Sequence, residues 1–403
     1  WYFKENDAET MPYAVLMEIA LQPCGWLSTF TLRDDIKGKD LVFRNLDGTA
    51  VQHREIKPRI DNNQARSLKT TTKLTSVSKM PNVIIVSFDV ICTVEKEAVF
   101  TMNTTFGFFD AEAMKTQKGL KITEEELGNF KLESNFKEEL TTYPFKYFKE
   151  STARLPASKL LMIDRIAGFW EQGGKNKKGF VRAEKDVISS DWFFKAHFFQ
   201  DPVQPGSLGV EALIQLMKFY MLHQDYHKDM KNPVFEPVAI GTEAEWHYRG
   251  QVTPDKKLII MDMEVLETDK EAKTLTAEAR LWVDDLKIYH IPKISLRLIE
   301  DDTSGKKTKA HDIAKELYLE ASDIIIDKKS GKCLNLPLNE IHFDQQNSLQ
   351  ISYLSLTDTH KDKLTQNRTN KNKDIAGIAR LARLAIDWEI ALVNKFLRRI
   401  VLQ

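Results

Sequence analysis

Three features of this 403-residue chain predict an α+β fold built from two copies of one unit. Two apolar segments of helical length carry the same polar pair on one stripe. A proline-bounded loop with a histidine precedes the second segment. Each is then followed by segments whose apolar residues alternate with period two. These patterns describe two antiparallel sheets, each wrapped around a long central helix, with a mixed C-terminal extension.

The second helical segment is the better defined. Leu208, Val210, Ala212, Leu213, Ile214, Leu216, Met217, Phe219 and Tyr220 make it apolar on every face but one, so it belongs inside a domain. Glu211 and Gln215 stand four apart, one above the other on that remaining stripe. Burying a carboxyl costs several kcal/mol unless it is partnered or neutral, so an acid here is either a folding liability or a working group. Upstream runs His197-Phe198-Phe199-Gln200-Asp201-Pro202-Val203-Gln204-Pro205-Gly206-Ser207, a loop in which Pro202 and Pro205 restrict the backbone before the helix begins at Gly206.

The first segment repeats the second. Met11-Pro12-Tyr13-Ala14-Val15-Leu16-Met17-Glu18-Ile19-Ala20-Leu21-Gln22 superposes without a gap on the stretch from Gln204, placing Pro12 on Pro205, Glu18 on Glu211 and Gln22 on Gln215. After it, residues 68–77, 82–94 and 98–109 read as strands. After the second helix, residues 243–247, 258–266, 274–283 and 287–298 do the same, while 159–171 and 179–187 supply earlier strands of that unit. The expected division is residues 1–150 for the first unit, 151–300 for the second and 301–403 for a linker and mixed region. The first unit's own early strands are expected to precede Trp1, the whole being an excerpt from a longer polypeptide.

Lys plus Arg equals Asp plus Glu at 58 each, so charge points to neither nucleic acid nor an anionic membrane surface. Cys24, Cys92 and Cys333 have no metal-ligand spacing and suggest a reducing, cytoplasmic setting. No apolar run is long enough to span a membrane. Residues 110–158 form a Lys/Glu-rich connection, read mostly as a solvated face. Beyond residue 300, helix is expected over 310–325, a mixed region over 334–356, a polar run over 360–373, and over 375–402 an amphipathic helix with Arg380, Arg383, Arg398 and Arg399. A connector towards a further domain is the preferred reading of this part; a helix lying on a membrane surface is the alternative.

The spacing His, Asp-Pro-x-x-Pro-Gly, Leu-Gly-x-Glu, then Gln resembles the FabA type of β-hydroxyacyl-acyl carrier protein dehydratase. The nearest likeness is to the tandem dehydratase region of polyunsaturated fatty acid and polyketide synthases. Residues 239–254, from Ala239-Ile240-Gly241 to Gly250-Gln251-Val252-Thr253-Pro254, resemble the strand that follows the family's central helix. FabA itself carries Asp where this chain has Glu211, whereas the FabZ dehydratases carry Glu. The resemblance implies a double hot-dog fold and elimination of water from 3-hydroxyacyl chains, giving the trans-2-enoyl thioester with or without isomerisation. It also implies that each site takes its His from one hot-dog and its acid from the neighbour's helix. His197 then pairs with Glu18, supported by Gln22, Gln215, Pro205 and Ser207, while Glu211 is the fallback acid. By gapless counting the mirror pocket has Lys4 where His197 stands, and so lacks a base. The implied partners are an acyl carrier protein, whose phosphopantetheine bears the substrate, and other synthase domains. No directly bound cofactor, metal or nucleic acid is expected, and a homodimer is compatible with this arrangement.

The chemistry needs a base for the α-proton, a donor for the departing hydroxyl, and a group to hold the carbonyl as it gains enolate character. His197, a Glu in an apolar pocket, and the backbone N–H of Gly206 at a helix start are residues of those kinds. His223 and His227 lack a third metal ligand and are expected at the surface; His247 and His290 are expected to be structural. Two alternatives remain, a hot-dog acyl-thioesterase, which needs no histidine loop, and a non-catalytic scaffold segment of a synthase.

Overall fold

The computed structural model describes residues 2–8, 10–57, 67–115, 117–197 and 201–301, and beyond them only the short pairing of Ile325–Ile326 with Cys333–Leu334. The first hot-dog begins with α1 (Tyr2–Glu5) and its central helix α2 (Tyr13–Thr31). Strands β1 (Leu41–Gln52), β2 (Leu68–Met80), β3 (Val83–Val94) and β4 (Glu97–Asp110) follow. The connection contributes α3 (Glu124–Phe130) and β5 (Glu138–Glu139). The second hot-dog has β6 (Arg165–Trp170), β7 (Phe180–Asp186), α4 (Trp192–Ala196), its central helix α5 (Gly206–His223) and β8 (Pro233–Phe235). It ends with β9 (Glu243–Tyr248), β10 (Leu258–Asp269), β11 (Thr274–Val283) and β12 (Leu286–Glu300).

Period-two patterning determines which way the sheets curl. In β3 the residues Ile84, Val86, Phe88, Val90, Cys92 and Val94 are buried, while their neighbours face outward. Each such apolar side chain contributes about 1.5–3 kcal/mol when fully buried. In α5 every residue except Gly206 and His223 is buried, as its nearly all-round apolar sequence requires. Within the shared core α2 and α5 pack against each other, which brings the two repeated polar stripes into one neighbourhood.

The two sheets join. Strand order runs β2-β3-β4-β1-β9-β12-β11-β10-β7-β6-β5, with β1 antiparallel to β9 through pairs from Asp47↔His247 to Val51↔Glu243. Gly48 is required at this seam because a Cβ there would sit 2.2 Å from the Trp246 ring. Seam polarity is satisfied across the strands: Trp246 Nε1 donates to Asn45 Oδ1 at 2.7 Å, and Arg249 Nη2 donates to Asp47 Oδ2 at 2.8 Å.

Several expectations change. β1 is a full strand that the alternation pattern did not reveal. In the second hot-dog, regular pairing starts only at Arg165, since Ser158–Leu160 form a 3-10 turn. The connection is not simply a solvated face: Glu126 of α3 is buried and accepts from Lys287 Nζ at 2.7 Å. The carboxylate is needed there because β10 to β12 bury Arg280 and Lys287 on that side of the sheet, with Arg280 Nε donating to Asp262 Oδ1 at 2.7 Å.

His223 and His227 are not surface groups. His227 is buried, and the His223 ring packs among Phe136, Phe169 and Phe219 with its Nδ1 2.9 Å from Tyr147 Oη. His247 and His290 do stand in strands, beside Asp47 and Glu278.

Both hot-dogs belong to one compact unit. Ile325 pairs as strand with Leu334 rather than ending a helix. The remaining expectations for residues 302–403, including the amphipathic helix with Arg380, Arg383, Arg398 and Arg399, lie outside the described residues.

Candidate active site

His197 follows the last residue of α4, its backbone N–H donating to Phe193 O at 3.0 Å, and the chain then turns into the proline-bounded loop. Nδ1 of His197 lies 2.8 Å from Val203 O. A carbonyl can only accept, so Nδ1 carries the proton and Nε2 presents a lone pair. The loop is held at two further points. Gln204 N donates to Val252 O at 2.9 Å, and Asp201 receives both terminal nitrogens of Arg44 at 2.8 Å each. Arg44 sits on β1 and donates through Nε to Gln251 Oε1 at 3.1 Å, so the first hot-dog clamps the histidine loop of the second.

The carboxylate facing His197 comes from α2. Glu18 Oε1 is 3.8 Å from His197 Nε2 and accepts from Gln22 Nε2 at 2.5 Å, while Oε2 accepts from Ser207 Oγ at 2.8 Å. Ser207 is the second residue of α5, so the two central helices meet through this carboxyl. Burial pulls the His197 imidazole below its ordinary value of 6.5, with the Glu18 charge opposing the shift. The ring is therefore neutral at neutral pH. Pro205, extended at φ −52° and ψ 133°, delivers the chain to Gly206 as the first residue of α5. First-turn amides have no intrahelical acceptor, and the helix dipole adds positive character there.

Of the residues singled out from sequence, His197, Glu18, Gln22, Pro205, Gly206 and Ser207 gather here. Glu211 and Gln215 do not. Gln215 Nε2 donates to Glu211 Oε1 at 2.9 Å and to Leu160 O at 2.8 Å, and its Oε1 accepts from Met162 N at 2.8 Å. It thus pins the backbone before β6, and burial pushes the Glu211 carboxyl up.

The polar stripe of α5 has a third member that the sequence reading passed over. Lys218 is buried, with Nζ 3.2 Å from both Asp7 Oδ1 and Asn6 Oδ1. Asp7 and Asn6 belong to the loop between α1 and α2, the counterpart of the histidine loop. In the mirror position an ion pair fills the space. Tyr13, the first residue of α2 and the counterpart of Gly206 in the repeat, is buried there as well.

Sequence reasoning missed Arg44, Gln251 and the Val203 carbonyl as supports of the histidine. Asp201 carried the available signal, since a carboxylate fixed just ahead of Pro202 and beside a candidate base calls for a cation.

The site thus brings a histidine of one hot-dog to within 3.8 Å of a carboxylate on the other's central helix. Residues 155–292, which contain the histidine loop and α5, match the FabA-like domain family. A polyunsaturated fatty acid synthase polypeptide of Thraustochytrium sp. is 29% identical over 336 residues, covering 76% of this chain and 21% of that protein. The chain spans about a fifth of the length of this curated relative. Among solved structures, the dehydratase domain from the CurJ module of curacin polyketide synthase is 11% identical with a TM-score of 0.42, over 74% of this chain and 87% of that one. The 12:0-ACP thioesterase from Umbellularia californica is 9% identical with a TM-score of 0.38, over 72% and 88%.

Proposed function

We propose that the chain removes water from 3-hydroxyacyl thioesters, the acyl group being carried on the phosphopantetheine of an acyl carrier protein within a polyunsaturated fatty acid or polyketide synthase. The observation that carries this reading is the approach of Glu18 to within 3.8 Å of a histidine whose Nδ1–H is held by Val203 O.

Neutral His197 takes the C2 proton on Nε2, and the electron pair moves towards the thioester carbonyl, whose oxygen faces the Gly206 amide and the positive end of α5. That pair then forms the C2–C3 double bond as the C3–O bond breaks, and the hydroxyl departs as water with the proton that His197 took, handed on through the Glu18 carboxylate. His197 Nε2 and Glu18 Oε1 stand 3.8 Å apart, close enough for that hand-over, which leaves a neutral imidazole and a carboxylate as at the start. Gln22 and Ser207 keep the Glu18 oxygens in place through both half-steps. A thioesterase acting through a carboxylate alone has no need of the Arg44, Val203 and Val252 contacts that fix His197.

The test is turnover of synthetic 3-hydroxyacyl N-acetylcysteamine thioesters by the purified chain, followed by enoyl absorbance. The wild type should form the trans-2-enoyl product. His197→Ala should abolish turnover with thermal unfolding unchanged, because this ring contributes chemistry rather than core volume. Release of free thiol without enoyl product would replace elimination by hydrolysis, and full turnover by His197→Ala would remove the histidine from the mechanism.

A further inference from the structure

Tyr289 on β12 faces Tyr248 on β9 across the sheet, and their rings stack with centroids 4.5 Å apart. The ring of Tyr289 lies along the first turn of α5. A Cβ on Gly206 would come within 3.2 Å of its hydroxyl, and one on Gly209 within 3.4 Å of its Cε2. Two glycines one turn apart therefore let the phenol rest against the helix with its oxygen at the helix start.

Tyr289 is 1% exposed, and its hydroxyl has no hydrogen-bond partner among the described residues. Buried tyrosine hydroxyls ordinarily find one. This one lies at the start of α5, 3.2 Å from where a Cβ on Gly206 would stand, and near enough to Glu18 to feel its charge.

We propose that Tyr289 is a further substrate-binding group of this site, its hydroxyl donating to the thioester carbonyl oxygen together with the Gly206 amide. The inference rests on the dehydratase reading and adds a residue to it. Donors from opposite elements, a helix start and a sheet, would then share the charge that develops on one oxygen as the C2 proton leaves. Both are fixed beforehand, the amide by α5 and the phenol by its stack and the glycine notch, so neither reorganises during the reaction. Burial, with a further contribution from the Glu18 charge, holds the phenol well above its ordinary value of 10. It therefore stays a neutral donor across the working range.

The experiment is Tyr289→Phe in the full chain, with kcat, KM and thermal unfolding measured on one preparation using a 3-hydroxyacyl N-acetylcysteamine thioester. The substitution keeps the ring and removes an oxygen with no partner in the described protein. The expected result is a fall in kcat of about 10²-fold, the scale of one lost oxyanion donor, with KM changed little and the unfolding temperature equal or slightly higher. Unchanged kcat overturns the inference. So does a large drop in unfolding temperature or a failure to fold, either of which would give the hydroxyl a structural partner instead. Wild-type turnover alongside an indifferent Tyr289→Phe leaves the dehydratase reading intact, whereas a wild type that eliminates no water removes both.

Discussion

Arg44→Met tests whether the first hot-dog governs the histidine of the second. The substitution keeps most of the aliphatic bulk on β1 but removes both hydrogen bonds to Asp201 at 2.8 Å and the 3.1 Å bond to Gln251. Breaking a fully buried ion pair from one side costs about 3–5 kcal/mol. Here the Arg44 side chain is 7% exposed but that of Asp201 is 34% exposed, so the stranded carboxylate can turn to water. A loss of about 1–2 kcal/mol of stability is therefore expected. The kinetic effect should be larger in proportion. Asp201 lies between His197 and Val203, so freeing it loosens the carbonyl that orients the imidazole, and a misplacement of ~1 Å in a reacting group costs on the order of 10²-fold in rate. The assay is kcat and KM on a 3-hydroxyacyl thioester together with urea unfolding. Arg44→Lys, which keeps the charge but loses the fork geometry, should fall between wild type and Arg44→Met. A kcat within about twofold of wild type for Arg44→Met at full folding would refute the idea that this contact positions His197.

The remaining predictions concern the acid and the base. Glu18→Gln should lower kcat by about 10²-fold or more, because the amide keeps the shape but has no proton to give a leaving hydroxyl; Glu211→Gln should leave kcat near wild type, and the reverse pattern would reassign the acid. The pH profile of kcat/KM should be flat through neutrality and fall only on the acid side of the ordinary imidazole value of 6.5, because burial lowers the His197 pKa and the base must be unprotonated. The linked stability has the same sign. The unfolded histidine takes a proton before the folded one does, so the His197 contribution is full above that value and declines as pH falls below it. An acid limb centred above pH 7 would contradict the burial argument.

The parts of the fold that could be read from sequence are those where one physical demand dominates. α5 is apolar because it is buried on all sides, and β3 alternates because one of its faces is buried. β1 escaped because it is the seam. Arg44, Asn45 and Asp47 interrupt its alternation, yet each is satisfied by a residue distant in sequence: Asp201, Trp246 and Arg249. Such bonds leave no trace in a local pattern. The same applies to Lys218, whose burial depends on Asp7. His223 and His227 looked peripheral because they follow the helix, but aromatic residues from the connection and from β6 enclose the His223 ring. In the site, Glu18 was found only because the repeat placed it in register with Glu211. Distance along the chain gave no hint that residue 18 would meet residue 197.

The duplication also bears on why the proposed chemistry would fall to one of two related positions. Two packed copies of a hot-dog create two places where a loop from one copy meets the helix of the other, and both inherit a Glu with a Gln one turn on. At the His197 position the helix begins with Gly206, which leaves its amide approachable, and the opposing carboxyl is 27% exposed and so reachable from outside. At the other position the corresponding helix begins with Tyr13, the loop carries Asp7 and Asn6, and Lys218 crosses from α5 to bind both. A buried lysine must be compensated where it lies, and Asp7 does so at 3.2 Å. Glu211 is shut in with it. The first hot-dog is still indispensable to the open site, since it provides Glu18 on α2, Arg44 on β1 and the strand that joins the sheets. On the proposed reading, one copy supplies the base and the helix start, the other the acid and the clamp, so that neither repeat alone would contain the groups that the elimination requires.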